Sequence, residues 1–440
     1  MNNFEIQMQI ANNIKKYSHI MVAFSGGLDS TVLLHALVQL RINILPNLKI
    51  HAIHIHHGLS MNADLWVNHC ISVCDQWMVK IKVLYITIDT TKYGVEAAAR
   101  KARYYAIANT IHHYETLVTA HHLDDQCETF LLALKRGSGP TGLSSMAHHM
   151  PFCNNEHIRP LLNISRIHLE KYAYYYKLKW VEDYSNKNNR FDRNFIRLHI
   201  IPALHNRWPY FSKSVARSAQ LCAEQEKLLD ELLKESLKRF IHSNKSLSIE
   251  GLLSMSEIKR YALLRRWISY FDVMMPTRTQ IKKIWLEVAM ARKDAHPKLQ
   301  LGTKQIRRYR KYLFLLPLLP SLKERIITWD PTKILSLPDG LGTLQLNDTT
   351  GICVRVPKIN EIISLRFVVY GKLRIKYQVH AQPIKKIWRE YNIPPWERER
   401  IPMLYYNEEL IAIIGVCITQ SGQAIPNKPF WYIKWVKNFI

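Results

Sequence analysis

Six consecutive residues, Ser25-Gly26-Gly27-Leu28-Asp29-Ser30, set two hydroxyls, two glycines and a carboxylate between an apolar run and a helical one. That set suits a phosphate chain. Glycine backbone approaches an oxyanion with no Cβ in the way. The first turn of a helix leaves N–H groups unpaired, and its dipole favours negative charge. Ser25 and Ser30 add hydroxyl donors, and Asp29 offers a carboxylate to a magnesium ion beside the phosphates. The stretch lacks the Lys of a Walker loop and the spacing of G-x-G-x-x-G. On local chemistry alone it equally fits a serine-capped helix after a Gly-Gly turn.

A second group is His121-His122-Leu123-Asp124-Asp125-Gln126-Cys127-Glu128-Thr129. Asp125 and Glu128 have the spacing of a helix N-cap and an acid one turn on, which accounts for one acid structurally. The remaining carboxylates and histidines suit an ammonium group, a magnesium ion or a positioned base. Between the two groups, Gly94-Val95-Glu96-Ala97-Ala98-Ala99-Arg100-Lys101-Ala102-Arg103-Tyr104 puts Glu96, Arg100 and Arg103 on one helix face. Those residues are either a solvated i, i+4 pair or guanidiniums that neutralise a departing phosphate. Arg193 and Arg197, with Asn194, share a further helix face suited to phosphate contact or to plain solvation.

The elements that must hold these groups are legible in outline. His19–Phe24, Ile50–His57, Val83–Ile88 and Leu117–Ala120 read as strands. They alternate with helical stretches after the glycine turn and over Asp64–Val79, Glu96–His113 and Glu128–Arg136. Such alternation predicts a parallel sheet with helices on both faces and ligands at the carboxyl ends of its strands. Ser212–Ile241 reads as a connecting helix, and residues 245–320 as a basic, mostly helical module ending in Arg307-Arg308-Tyr309-Arg310-Lys311. From 325 onward the chain is richer in strands, with Ile362–Val369 and Leu410–Ile414 flanking a short helix over Pro383–Tyr391.

Length of 440 residues allows two or three domains, and 48% apolar with 22% charged residues is a soluble globular composition. The formal charge of +26, from 61 Lys and Arg against 35 Asp and Glu, argues for a polyanionic partner, either nucleic acid or an anionic membrane surface. No apolar run nears bilayer-spanning length, and Met1-Asn2-Asn3-Phe4-Glu5 opens no signal peptide. The expected partner is therefore nucleic acid rather than a membrane. Seven irregularly spaced cysteines fit a reducing cytoplasm better than a disulfide framework. Cys70 and Cys74 lack a second ligand pair, and neighbouring histidines such as His56-His57 and His112-His113 point apart on any regular element.

Ser25–Ser30 resembles the SGGxDS loop of the PP-loop ATP pyrophosphatases, which cleave ATP between the α and β phosphates to adenylylate a substrate. SGGLDS, GVEAAARKARY, HHLDDQCET, KRGSGPTGL, WVEDYSN and DRNFIR, in that order, resemble the tRNA(Ile)-lysidine synthase family over about 210 residues. Ile258–Arg265 is similar to that family's middle module, and Ile384–Ile387, Ile393–Arg398 and Ile401–Leu404 to its C-terminal domain. Cys127, where alanine is more usual, is a small departure that touches none of the roles below.

The resemblance implies an α/β fold. A parallel-sheet PP-loop domain, Rossmann-like and adenine nucleotide alpha hydrolase-like, would occupy 1–212, and a helical linker 213–244. A helical tRNA-binding domain would occupy 245–320 and a small α+β tRNA-binding domain 325–440. Implied cofactors are ATP and Mg2+, held by Ser25, Gly26, Gly27, Leu28, Asp29, Ser30 and His121, with Asp29 toward the metal. Asp29, Arg100, Arg103 and Asp125 would be catalytic, and Asp125 with Glu128 would bind free L-lysine. Arg193, Arg197, Arg307, Arg308, Lys385, Lys386 and Arg398 are the candidates for tRNA contact. The implied reaction adenylylates C2 of the wobble cytidine in a CAU-anticodon isoleucine tRNA, and the lysine ε-amine then expels AMP to give lysidine. A cytoplasmic monomer or homodimer is expected.

Three other readings stand beside this one. A cytidine thiolase of the same fold would bring paired cysteines, and no C-x-x-C occurs. A glutamine amidotransferase would need a nucleophilic Cys where residue 2 is Asn2. A non-catalytic RNA-binding protein would not need Ser25, Asp29, Arg100, Asp125 and Glu128 together.

Overall fold

The computed structural model describes residues 1–58, 60–88, 95–183, 189–271, 273–292, 295–376, 378 and 380–437, with the side chains of 95–97 also outside the description. Gly94, the Glu96 side chain and Tyr184-Ser185-Asn186 of the motifs above therefore lie outside the described residues. The chain forms two compact units, Met1–Leu233 and Lys234–Ile440.

The first unit runs α1 (Asn3–Ile14), β1 (His19–Ala23), α2 (Leu28–Asn43), β2 (Lys49–His56), α3 (Ala63–Gln76), β3 (Lys80–Tyr85), α4 (Val95–Ala108), β4 (Thr116–Val118) and α5 (Leu123–Lys135). It continues through α6 (Pro140–Leu143), the hairpin β5 (His149–Phe152) and β6 (Asn155–Ile158), α7 (Arg166–Tyr175), α8 (Asp192–Phe195), a π-helical turn (Ile196–Ile200) and α9 (Ile201–Arg207). Helix α10 (Phe211–Phe240) follows, and the division between units falls within it.

The sheet order is β3-β2-β1-β4-β6-β5, parallel except for β5 at the edge. Side chains of β1 alternate between its two faces. Ile20 and Val22 join a core with Ile10 of α1, Leu33 and Leu37 of α2 and Tyr172 of α7. Met21 joins a second core with Ile53, Ile107 of α4 and Leu117. Burial on both faces explains why β1 reads as a continuous apolar run. Since β2 and β4 flank β1, strand order switches direction there, and a crevice opens beyond the carboxyl ends of β1 and β4. Both chemistry-bearing loops leave from those ends.

The second unit differs from a purely helical middle module. Helices α11 (Glu250–Leu253), α12 (Glu257–Ser269) and α13 (Arg278–Lys283) are present, as the basic helical reading expects. They are joined by an antiparallel sheet of β7 (Leu247–Ser248), β8 (Lys298–Leu301), β9 (Lys304–Tyr309) and β10 (Tyr312–Pro317), in the order β7-β10-β9-β8. Arg307 and Arg308 thus sit on a strand, where charged side chains had masked the two-residue period. Beyond it, a five-stranded and a four-stranded antiparallel sheet share a core that includes Leu344, Leu365, Leu404 and Ile433. On the other face of the five-stranded sheet, α14 (Ile384–Glu390) buries Ile384, Ile387 and Trp388 against Met403, Tyr405 and Ile413 and leaves Lys385 and Lys386 exposed. Among the described residues no helix is long and apolar enough to cross a membrane.

Candidate active site

The loop after β1 is braced on all sides. The Phe24 amide donates to the Ile53 carbonyl at 2.9 Å, and His54 Nδ1 lies 2.9 Å from the Phe24 carbonyl. Gly26 has φ +79°, and an added Cβ would meet Cys70 Sγ at 2.8 Å. Its carbonyl accepts from the Val181 amide at 2.9 Å, so the segment after Trp180 closes over the loop. Gly27 caps the 16-residue helix α2 without a side-chain cap bond. The first-turn amides are thereby left for an outside acceptor. Ser25 Oγ and Ser30 Oγ stand 3.0 Å apart, and Ser30 Oγ donates to the Gly27 carbonyl at 3.0 Å.

Asp29 lies in the first turn of α2. Its Oδ2 is 3.6 Å from His122 Nε2, while its Oδ1 is buried with no hydrogen-bond partner. A buried carboxylate oxygen is costly without a donor or cation, so this atom fits a metal ion at the phosphate loop.

Across the crevice, α5 begins with a cap different from the one its spacing predicts. His122 is the N-cap: Nδ1 accepts from the amides of Asp124 and Asp125 at 3.2 and 3.4 Å. Asp125, the third helical residue, returns Oδ2 to the His122 amide at 3.1 Å and completes a capping box. His122 Nε2 then lies 3.4 Å from Asp125 Oδ2, so one imidazole links both acid-bearing loops. Asp125, Asp29 and Asp124 push the His122 pKa up against burial, but a ring charged on both nitrogens could not accept at Nδ1. The imidazole that caps the helix is therefore the neutral one, with its Nε2–H toward Asp29 and Asp125.

Glu128, one turn on, is fully buried. Arg197, on the π-helical turn, sends Nε to Glu128 Oε1 at 2.6 Å and Nη2 to Glu128 Oε2 at 3.0 Å and Asp125 Oδ1 at 2.9 Å. Arg193 adds Nε at 3.4 Å from Glu128 Oε2 and donates Nη2 to Thr129 Oγ1 at 2.8 Å. The two acids respond oppositely. Burial opposes ionisation of Asp125, yet His122, His121 and Arg197 hold its pKa down at about 2. Burial and the neighbouring Asp125 charge push Glu128 up, against the pull of Arg197. One carboxylate is held ionised and its neighbour is tilted toward taking a proton.

Three family models match the chain: a PP-loop domain over residues 1–204, a TilS substrate binding domain over 247–314 and a TilS substrate C-terminal domain over 363–435. Curated tRNA(Ile)-lysidine synthases match from end to end. That of Edwardsiella ictaluri is 58% identical over 440 residues, all of both chains. That of Serratia proteamaculans is 51% identical over 99% of this chain and 100% of its own. That of Pectobacterium atrosepticum is 50% identical over 99% and 98%. The chain belongs to the tRNA(Ile)-lysidine synthase family. Membership in these PP-loop, ATP-using ligases bears out the fold and enzyme class expected from its motifs.

The remaining candidates fall into different surroundings. Arg100 is exposed, 5.2 Å from the Tyr104 ring centroid, and Arg103 Nη2 lies 3.2 Å from His57 Nε2. Asp124 is taken up by the scaffold: Oδ2 accepts the Arg166 amide at 2.8 Å and Oδ1 the Ser212 hydroxyl at 3.2 Å. Arg193 and Arg197, read as phosphate contacts, stand instead against the acids of α5. In the second unit Arg307 lies 5.3 Å over the Trp396 ring. Arg308 donates to the carbonyls of Ala289 (3.1 Å), Ala291 and Arg292, and Arg398 donates to that of Ile393 at 3.3 Å. Lys385 and Lys386 remain on an exposed face. Sequence reasoning passed over the cap role of His122 and the buried polar residues Thr119, His157 and Arg159. The one available signal was a charged residue, Arg159, inside an apolar run just before Pro160.

Proposed function

We propose that the protein modifies the wobble cytidine of a CAU-anticodon isoleucine tRNA with free lysine, in two steps at one crevice. In the first step the cytidine C2 oxygen attacks the α-phosphate of ATP and pyrophosphate leaves. The α2 amides, Ser25 and Ser30 bind the phosphates, and Arg100 and Arg103 offset charge on the departing group. Asp29, whose Oδ1 is buried without a hydrogen-bond partner, would hold magnesium, and the ion would supply neutralisation of phosphate charge. In the second step the lysine amine attacks C2 and expels AMP.

The observation that carries this reading is the pair of acids at the start of α5, partly buried Asp125 and fully buried Glu128, with Asp125 linked through His122 to Asp29 of the phosphate loop. An ammonium substrate needs such acids. Its amine must also shed a proton before attack, and Glu128, with its pKa pushed up by burial, is the acceptor we assign. Residues 1–212 form the catalytic domain, 213–244 a helical linker, and 245–320 and 325–440 the tRNA-binding parts, in a cytoplasmic enzyme. From Glu361 onward 12 Lys and Arg stand against 6 Asp and Glu, and such surfaces bind phosphates with steep salt dependence. Lys385 and Lys386 are the most open of the tRNA candidates, Lys386 with only a loose 3.8 Å pair to Glu390, whereas Arg193, Arg197, Arg307, Arg308 and Arg398 would first have to leave closer partners.

The test is incorporation of labelled lysine into an isoleucine tRNA transcript with ATP and magnesium, beside an elongator methionine tRNA. Incorporation confined to the first tRNA and abolished by Asp29→Ala supports the reading. Folded, ATP-binding protein that incorporates none overturns it.

A further inference from the structure

Behind His121 a file of buried polar groups runs inward along the ends of β4 and β6. Thr119 Oγ1 lies 2.8 Å from His121 Nδ1 and 2.8 Å from His157 Nε2. His157 Nδ1 lies 3.3 Å from Nη2 of Arg159. Thr119, His157 and Arg159 are 6%, 1% and 4% exposed, so the file lies away from bulk solvent. The Arg159 guanidinium is further anchored through Nη1 to the Ala147 carbonyl at 2.6 Å and Nη2 to the Met150 sulfur at 3.3 Å. Among the described residues it has no carboxylate partner.

Direction follows from the donor inventory. A guanidinium only donates and keeps its charge, so Nη2 must give a hydrogen to His157 Nδ1. A neutral His157 then carries its proton on Nε2 and donates it to Thr119 Oγ1. The single hydroxyl proton of Thr119 is left to go to His121 Nδ1. His121 must therefore carry its own proton on Nε2, which has no hydrogen-bond partner among the described residues. Reversing either of the first two links would set two donors face to face, and reversing the last would make Thr119 Oγ1 accept twice and strand its own buried proton without an acceptor among the described residues.

We propose that Arg159, His157 and Thr119 are positioning residues, a one-way hydrogen-bond chain that fixes His121 as a neutral Nε2–H donor rather than a base. Burial, reinforced by nearby arginines, pushes both imidazoles down to about 3, which keeps them neutral. The donor's use, a hydrogen bond to a phosphate oxygen on which charge develops, rests on the ATP reading above. The chain's polarity does not.

The experiment is a two-dimensional 1H–15N ring spectrum of the whole enzyme with 15N-labelled histidine, at about pH 7.5, where a neutral imidazole shows its tautomer. His121→Gln and His157→Gln spectra assign the two rings. Both are expected with Nε2 protonated and Nδ1 bare. Thr119→Val is expected to give a mixture of His121 tautomers and at least a ten-fold loss in the rate of ATP-dependent tRNA adenylylation, and Thr119→Ser to restore both. A wild-type His121 protonated on Nδ1, or a Thr119→Val tautomer unchanged from wild type, overturns the proposal. Should Thr119→Val fail to fold, the wild-type and Thr119→Ser spectra still decide it. The expected tautomers in a protein that never releases pyrophosphate from ATP would uphold the chain and sink the ATP reading alone.

Discussion

The guanidinium of Arg197 grips the carboxylate of Glu128 along both oxygens, Nε at 2.6 Å from Oε1 and Nη2 at 3.0 Å from Oε2. The same Nη2 reaches Asp125 Oδ1 at 2.9 Å, and the His122 amide takes Asp125 Oδ2. All four carboxylate oxygens are thus engaged by the protein itself. On the proposed reading a lysine ammonium entering between these acids would compete with Arg197 for their lone pairs, and Arg197 is the counter-ion that balances them in this structure.

Arg197→Ala is therefore expected to lower stability in the absence of lysine. Removing one partner of a buried ion pair costs about 3 kcal/mol or more, because the other is left buried and uncompensated. Free lysine is expected to return part of that loss. In thermal melts with and without lysine, the variant's midpoint rises more than the wild type's. Equal lysine shifts in both proteins would show that Arg197 does not share the lysine site.

Asp29→Asn tests the phosphate loop without changing its shape. Oδ1 is buried with no partner, and Oδ2 joins Asp125 and Asp124 around His122. Neutralising Asp29 relieves like charge in the resting enzyme, so its melting midpoint is expected to hold or rise. Magnesium-dependent pyrophosphate release is expected to fall about 100-fold or more, the scale of losing a charge clamp on phosphoryl transfer. A variant that keeps its magnesium response would remove Asp29 from the metal.

The loops that carry Asp29 and Asp125 were legible because each motif is local: a strand, a turn and a helix start within a dozen residues. The parallel sheet followed from the alternation of apolar strands with helices. What the sequence hid is contact across distance. Glu128 and Arg197 are 69 residues apart, and no spacing reveals that they pair. The capping box was placed three residues late, since His122 is an uncommon cap beside Asp125. In the middle module, Lys304, Arg307 and Arg308 gave β9 the look of a solvated helix, although Ile306 between them is buried.

Two neighbouring glycines separate folding from ligand approach. At Gly26 an alanine meets both a φ of +79° and a Cβ 2.8 Å from Cys70 Sγ. Gly26→Ala is expected to destabilise the protein by about 1–3 kcal/mol and to impair ATP binding. At Gly27 the nearest side-chain atom is Ser25 Oγ at 3.5 Å, and no left-handed backbone is required. Gly27→Ala is expected to keep its melting midpoint and lose ATP affinity, because on the proposed reading a methyl group at this N-cap would crowd the phosphates at the α2 amides. Calorimetric titration with ATP, paired with melts, separates the two. A strongly destabilised Gly27→Ala would refute this division.

The second unit carries its own acid-sensitive clasp. Arg355 donates Nη1 to Glu361 Oε2 at 2.6 Å and Nη2 to Oε1 at 2.7 Å, and the Lys358 amide adds a third bond at 2.7 Å. Hydrogen bonding from Arg355 leads the factors that hold the Glu361 pKa at about 2, against an ordinary 4.5. A carboxylate whose folded pKa lies below its unfolded one stabilises the fold above the unfolded pKa. That stabilisation drains away as pH falls from 4.5 through about 2. Glu361→Gln is therefore expected to lower the unfolding free energy at neutral pH by about 1 kcal/mol, read as a lower urea midpoint, for a pair near the surface. The gap between variant and wild type is expected to narrow as pH drops below 4.5, because the wild-type carboxylate loses its advantage over the amide. Urea titrations of both proteins across that range read the slope directly. A gap independent of pH would mean that Glu361 supports the fold through shape rather than charge.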